Sequence, residues 1–125
     1  MKTTNRRLVM YKDLNGANKL FGGTILSWID EQAYVEVISL LKTKNVVTKF
    51  ISEVEFVSGA KVGDTVEIIT EFIKFGKSSI SLKISVLNLT TETTIAVVNE
   101  IVMVNVDEDN KPSPHNFSLD KTITV

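Results

Sequence analysis

The stretch from Asn15 to Leu41, NGANKLFGGTILSWIDEQAYVEVISLL, limits what this chain can become. Its second half is apolar in every direction, with Ile25, Leu26, Trp28, Ile29, Ala33, Val35, Val37, Ile38, Leu40 and Leu41. The spacing predicts a helix over 24–41. A helix with no polar face is normally buried, so the remaining chain must wrap around it. One carboxylate, Asp30, sits near its middle. An acid in apolar surroundings is costly unless it is paired or used in chemistry.

The chain that does the wrapping alternates. Asn45–Phe56 has Val46, Thr48, Phe50, Ser52, Val54 and Phe56 in one phase and Lys49, Glu53 and Glu55 in the other, a half-buried strand. Thr65–Phe75 places Val66, Ile68, Thr70 and Phe72 together, and Ser78–Leu89 places Ile80, Leu82, Ile84 and Val86 together. Thr94–Val106 reads as a last long strand and RRLVMY at 6–11 as a short first one. The connections at 58–64, 76–77 and 90–93 are short, which favours antiparallel neighbours. The expected class is α+β: one long central helix wrapped by a curved antiparallel sheet. A single domain spans 1–125, with 107–125 as a polar loop and a loose tail. No internal repeat or linker interrupts it.

Composition narrows the function. The 125 residues carry a net charge of -1 with no basic cluster, which argues against a nucleic-acid partner. With no cysteine, disulfides, thiolate nucleophiles and cysteine metal sites are excluded; this fits a reducing, cytoplasmic setting. The N-terminus lacks the apolar run of a signal peptide, and Asp30, Glu31 and Glu36 make the long helix a core helix and not a membrane span. No phosphate-binding glycine loop or metal-ligand spacing occurs, so neither a metal nor a separate cofactor is expected.

Four motifs, taken in order and spacing, resemble the hotdog fold, and within it the bacterial acyl-CoA thioesterases of the acyl-CoA hydrolase group. Asn15, Phe21-Gly22-Gly23 and Trp28-Ile29-Asp30 are similar to that family's N-x-x-G-x-x-F-G-G followed by W-I-D. Val46-Val47-Thr48 opens the next strand. Val62-Gly63-Asp64 and Phe75-Gly76-Lys77-Ser78-Ser79-Ile80 match its G-D and G-x-T-S segments. Val106-Asp107-Glu108 through Lys111-Pro112 matches its V-D-E-x-G-K-P ending. The likeness runs from about residue 8 to 114. Asn18 and Asn110 stand where glycine is usual, and Ser78 where threonine is common. Asparagine is the next-best residue for a left-handed backbone, so the loops survive the change.

The resemblance implies hydrolysis of an acyl-CoA to a free acid and coenzyme A, the coenzyme being part of the substrate. It also implies a homodimer, assembled as a trimer of dimers. With no cysteine and the only histidine, His115, in the tail, Asp30 is the best catalytic group, as general base on water or as nucleophile. A structural acid bonded to Thr48 or to backbone is the competing reading. Asn15 would orient water or polarise the thioester, although on the residues alone a plain turn asparagine is the favoured account. Amides at Gly22 or Gly23 would hold the oxyanion. Thr48 would hydrogen-bond Asp30 or the water. Gly76, Lys77, Ser78 and Ser79 would approach coenzyme A, with a solvated turn lysine the plainer account of Lys77. Asp30 follows Gly22 by eight residues, ~12 Å along a helix. One carbonyl cannot touch both, so Asp30 of one protomer is expected to work with Asn15 and the glycine turn of another. A hotdog dehydratase is disfavoured because its chemistry uses a core histidine. A non-catalytic acyl-CoA or lipid binder remains the alternative.

Overall fold

The computed structural model describes residues 1–117. Six strands form one antiparallel sheet: β1 (Lys2–Leu8), β2 (Val46–Ile51), β3 (Val54–Phe56), β4 (Thr65–Phe75), β5 (Ser79–Asn88) and β6 (Thr93–Asn105). Their order across the sheet is β1-β4-β5-β6-β2, with β3 also paired to β6. The helix α1 (Gly22–Leu41) packs on the concave side. A long helix cradled by a curled antiparallel sheet is the hotdog arrangement, in agreement with the expected class.

The core follows from two periodicities meeting. Ile25, Ile29, Ala33 and Val37 recur at helical spacing and are buried. Val66, Ile68, Thr70 and Phe72 of β4, and Leu82, Ile84 and Val86 of β5, alternate along their strands and are buried with them. The sheet curls because its strands carry extra residues. Phe72 pairs with Leu82 but Lys74 with Ser81, so Ile73 bulges and lies 53% exposed. Register shifts between β5 and β6 likewise leave Asn99 and Glu100 outside the ladder. Such bulges bend a strand and steepen its twist.

Three sequence expectations change. The first strand lies at 2–8 and not 6–11; Tyr11–Asp13 form a 3-10 turn instead. The polar KTTNRR stretch is a strand because it pairs residue for residue with β4, which supplies its backbone bonds. Asn5 of β1 donates to Gln32 of α1 at 3.0 Å, and Arg7 lies 4.7 Å over the Trp28 ring. Second, the continuous strand expected over 45–56 is two strands. Thr48 pairs with Met103 and Phe50 with Val102, so Lys49 bulges and the phase flips. Thr48 therefore shares its face with Ile51, which pairs with Ile101, and not with Phe50. Ser52 and Glu53 break the strand and flip the phase back, so Val54 and Phe56 pair with Val98 and Ala96 on the helix side. Third, α1 is not buried all round: Leu26 and Val35 are exposed in the single chain. The helix also begins at Gly22, with Phe21 as its N-cap, so Thr24 lies inside the first turn and does not cap it.

The C-terminal stretch starts as an ordered turn, with Val106 bridging to Pro112 and Asp107 accepting from the Asp109 and Lys111 amides. Residues 118–125 of the expected tail lie outside the described residues. Asn18 and Asn110 both have φ of 60°, so asparagine does occupy the left-handed positions where glycine was expected to be usual.

Lys42 ends α1 at φ 61°, ψ 35°, a left-handed conformation that burdens a side chain with a Cβ. Lys42→Gly should therefore raise unfolding stability by about 1 kcal/mol, read by denaturant titration with an unchanged m-value.

Candidate active site

The packing of α1 decides where its polar groups emerge. Ile29 is fully buried against the sheet. Each residue turns the helix by about 100°, so Asp30 leaves the buried stripe on one flank and Trp28 lies about 200° away from it. Trp28 and Gln32 face β1, through Arg7 and Asn5. Asp30 faces β2, where Thr48 waits.

The Thr48 hydroxyl donates to Asp30 Oδ1 at 2.7 Å, in the range of hydroxyl–carboxylate bonds with a charged acceptor. The same oxygen lies 3.3 Å from Met103 Sδ, its cross-strand neighbour. Among the described residues the Asp30 side chain has no other hydrogen-bond partner and no ion pair, so Oδ2 is available to a water or a substrate atom. Asp30 itself is half-buried, and Thr48 is exposed. Asp30 and Thr48 are thus brought together within one chain.

Asn15 is placed differently. Its Oδ1 accepts from the amides of Ala17 at 2.9 Å and Lys19 at 3.2 Å, and its own amide donates to the Lys19 carbonyl at 2.8 Å. The carbonyl oxygen of the side chain holds the loop, leaving the Nδ2 donor. Among the described residues no hydrogen bond joins Asn15 to Asp30 within the chain. Gly22 and Gly23 are the first residues of α1. The first amides of a helix have no partner within it, and the helix dipole adds positive character there. Of the two glycines, only Gly23 stands where a side chain would crowd a neighbour; at Gly22 a Cβ would make an ordinary contact. A Cβ on Gly23 would lie 2.7 Å from the Phe21 ring, and one on Gly22 would meet the Phe56 ring at 3.7 Å. Phe56 and Met103 are neighbours that the sequence alone did not single out. Both reach the site through β6 register, which no local pattern encodes.

Gly76, Lys77, Ser78 and Ser79 form the β4–β5 hairpin, closed by the Gly76 amide on the Ser79 carbonyl at 2.9 Å. A side chain at Gly76 would run into Ser79 Oγ. No hydrogen bond or strand pairing joins this hairpin to Asp30 or Asn15 within the chain, among the described residues. Neither does Asp30 line the cavity beside Asp64 and Asn88. That cavity, about 340 Å³, is lined by Lys19, Gly59, Ala60, Asp64 and Asn88. Among the described residues there is no cluster of groups able to hold a metal ion, and no helix is long and apolar enough to cross a membrane.

A family model described as the thioesterase superfamily matches residues 17–95. No curated protein matches the chain in sequence. Among solved structures, a hexameric acyl-CoA thioesterase in its apo form is 35% identical, superposes with a TM-score of 0.79, and is aligned over 90% of this chain and 74% of its own. A hexameric thioesterase from Yersinia pestis is 28% identical, with a TM-score of 0.79 over 88% of this chain and 91% of its own. An acyl-CoA hydrolase from Staphylococcus aureus, solved with butyryl coenzyme A, coenzyme A and its disulfide, is 26% identical, with a TM-score of 0.77 over 90% and 68%.

Asp64, the acid of the Val62-Gly63-Asp64 motif, has a structural task. Its Oδ2 accepts from the Lys61 amide at 3.0 Å and from buried Asn88 Nδ2 at 2.9 Å. The Lys61 amide and then Asn88 hold its pKa below the ordinary 3.8; burial opposes them, and the Lys61 charge adds a smaller lowering. A carboxyl with a lowered folded pKa stabilises the fold above its unfolded value, and that stabilisation is lost as pH falls through the folded value. Asp64→Asn should therefore flatten the acid limb of the stability curve below about pH 4, measured by urea unfolding at stepped pH.

Proposed function

Since the chain belongs to the thioesterase superfamily, we propose that it hydrolyses acyl-CoA thioesters to a free acid and coenzyme A. The observation that carries this reading is the Thr48–Asp30 pair: a carboxylate with one oxygen held at 2.7 Å and the other without a protein partner. Asp30 acts at Oδ2, either taking a proton from water as it attacks the thioester carbonyl or attacking that carbonyl itself. Thr48 fixes the carboxylate's rotation. The Asn15 Nδ2 donor and the amides at Gly22 and Gly23 receive the oxyanion that forms on the carbonyl. The Gly76–Ser79 hairpin holds the coenzyme.

These groups serve one carbonyl only if two protomers meet. Asp30 lies about 12 Å along the helix from Gly22, and Asn15 is tied into its own loop. The surface suits such a meeting. Phe21, Leu26, Val47, Phe56 and Val57, from the start of α1 and from β2 and its continuation, are all exposed. Large apolar side chains left open in this number mark an association face. The thioesterases from Yersinia pestis and of the apo structure are hexamers. A dimer of hotdogs, further assembled as a trimer of dimers, is the assembly that fits. A non-catalytic acyl-CoA binder is the weaker reading, because it leaves the unsatisfied Asp30 Oδ2 without a task.

Thiol release from a panel of acyl-CoA thioesters tests the reaction. Asp30→Asn should keep the fold and the assembly while lowering kcat about 100-fold or more. Undiminished turnover in that variant would remove Asp30 from the chemistry, and failure of the parent chain to release thiol from any acyl-CoA while still binding it would favour the binder. Shared sites make a separate prediction. Asp30→Asn and Asn15→Ala, each inactive alone, should regain about a quarter of parental activity when mixed and re-assembled. In a mixed dimer one of the two sites has both groups intact, and statistical mixing makes half the dimers mixed.

A further inference from the structure

The last described residues form a strap over the β4–β5 hairpin. Ser113 and Asn105 hold the strap's root: the Ser113 amide donates to the Asn105 carbonyl at 2.8 Å and Asn105 Nδ2 to the Ser113 carbonyl at 2.9 Å. Beyond it the His115 amide donates to the Lys77 carbonyl at 3.1 Å, and His115 Nε2 lies 3.1 Å from the Ser79 carbonyl. Phe117 packs on Phe75 with ring centroids 5.5 Å apart, and Phe75 stacks in turn on buried Phe72 at 5.9 Å. The strap thus touches the hairpin at both shoulders and its crest.

His115 is held at both ring nitrogens. A carbonyl only accepts, so Nε2 must carry the proton toward Ser79. Nδ1 accepts the Phe117 amide at 3.0 Å. One neutral tautomer satisfies both contacts, and it ties hairpin, strap and the Phe117 anchor to one side chain.

The consequence lies in which way the hairpin's polar groups are spent. The Lys77 carbonyl is taken by the His115 amide, the Ser78 carbonyl by the Asn105 amide at 2.8 Å, and the Ser79 carbonyl by Gly76 and His115 together. Carbonyl oxygens repel an anion. With all three occupied by the chain's own donors, what the hairpin has left for a phosphate is the exposed Lys77 ammonium, the serine hydroxyls and the amides of Lys77 and Ser78. We propose that His115 is a positioning residue for substrate: through the Ser79 carbonyl and the Phe117 anchor it fixes the Gly76–Ser79 hairpin in a shape that receives the phosphorylated nucleotide end of an acyl-CoA. This rests on the reading of that hairpin as the coenzyme-binding element.

The experiment compares two substrates sharing one acyl group, an acyl-CoA and the corresponding acyl-N-acetylcysteamine, which lacks the nucleotide. His115→Ala should raise KM for the acyl-CoA about tenfold, with kcat within twofold of the parent and the KM of the truncated thioester unchanged. His115→Gln, whose amide can still donate to the Ser79 carbonyl, should recover part of the loss. The unchanged truncated substrate is the control for folding. Equal effects of His115→Ala on both substrates, or a fall in kcat alone, would make the residue structural only and overturn the proposal. A Lys77→Ala, Ser78→Ala double variant separates the two layers. If it raises KM for acyl-CoA while His115→Ala does not, the strap has no part in binding and the hairpin reading stands. If it leaves KM unchanged, the hairpin reading falls and the proposal with it.

Discussion

Everything else in the molecule depends on the seating of one helix stripe in the hollow of the sheet. Ile25, Ile29, Ala33 and Val37 fill the concave face against Ile68, Leu82, Ile84, Val98 and Ile101. Each large aliphatic side chain so buried contributes about 1.5–3 kcal/mol, enough in sum to offset much of the ordering cost of the chain. Once that stripe is fixed, the rotation of α1 is fixed, and the flanking polar residues have no choice of neighbour. Asp30 must emerge beside β2 and Gln32 beside β1. The acid's position is therefore a by-product of packing, and its precision is that of a close-packed core.

The Lys49 bulge is the second condition. Without it Thr48, Phe50 and Ser52 would share a face, and Ile51 would turn away from Ile101. With it, β2 presents Thr48 to Asp30 and still sends Ile51 toward the core two pairs later. A bulge beside a proposed site re-aims a side chain at small cost because the strand lies at the sheet's edge, where an extra residue disturbs only one ladder. Gly23 serves similarly at the other end of the constellation, by letting the Phe21 ring lie close to the helix start.

How much of this could be read from residues alone depends on where the information resides. β4 and β5 were legible because each alternates without interruption through its buried face, and period two has no competing explanation. The Asn18 turn was legible because asparagine tolerates φ of 60° for a local reason. The Lys49 bulge was not, since lysine carries no bulge signature and the register is set by β6, half the chain away. β1 was misplaced because KTTNRR is polar. Its inward residues are polar too: Asn5 meets Gln32, Arg7 lies over the Trp28 ring, and the Thr3 hydroxyl is buried without a hydrogen-bond partner, so the hydrophobic pattern that marks a strand is missing. Asp30 and Thr48 were both nameable, but their 2.7 Å contact depends on a bulge and a helix rotation that exist only in three dimensions.

The helix's surplus of apolar residues has a further meaning. Read as a sequence, α1 has no polar face; in the single chain it leaves Leu26 exposed on the flank of Asp30 and Val35 exposed on the opposite flank, near Trp28. Both observations hold if the helix has two apolar partners, its own sheet and a second protomer. Finishing the burial of Phe21, Leu26, Val47, Phe56 and Val57 would contribute of order 1 kcal/mol for each half-exposed side chain. The net stability of an entire domain is about 5–15 kcal/mol, so association on this face would be a large fraction of what keeps the fold. The same face borders Asp30 and Thr48 on one side and Gly22 with Phe56 on the other. On the proposed reading, then, a protomer that leaves its partner loses stability and half of its site in the same step, and folding, assembly and catalysis become one equilibrium.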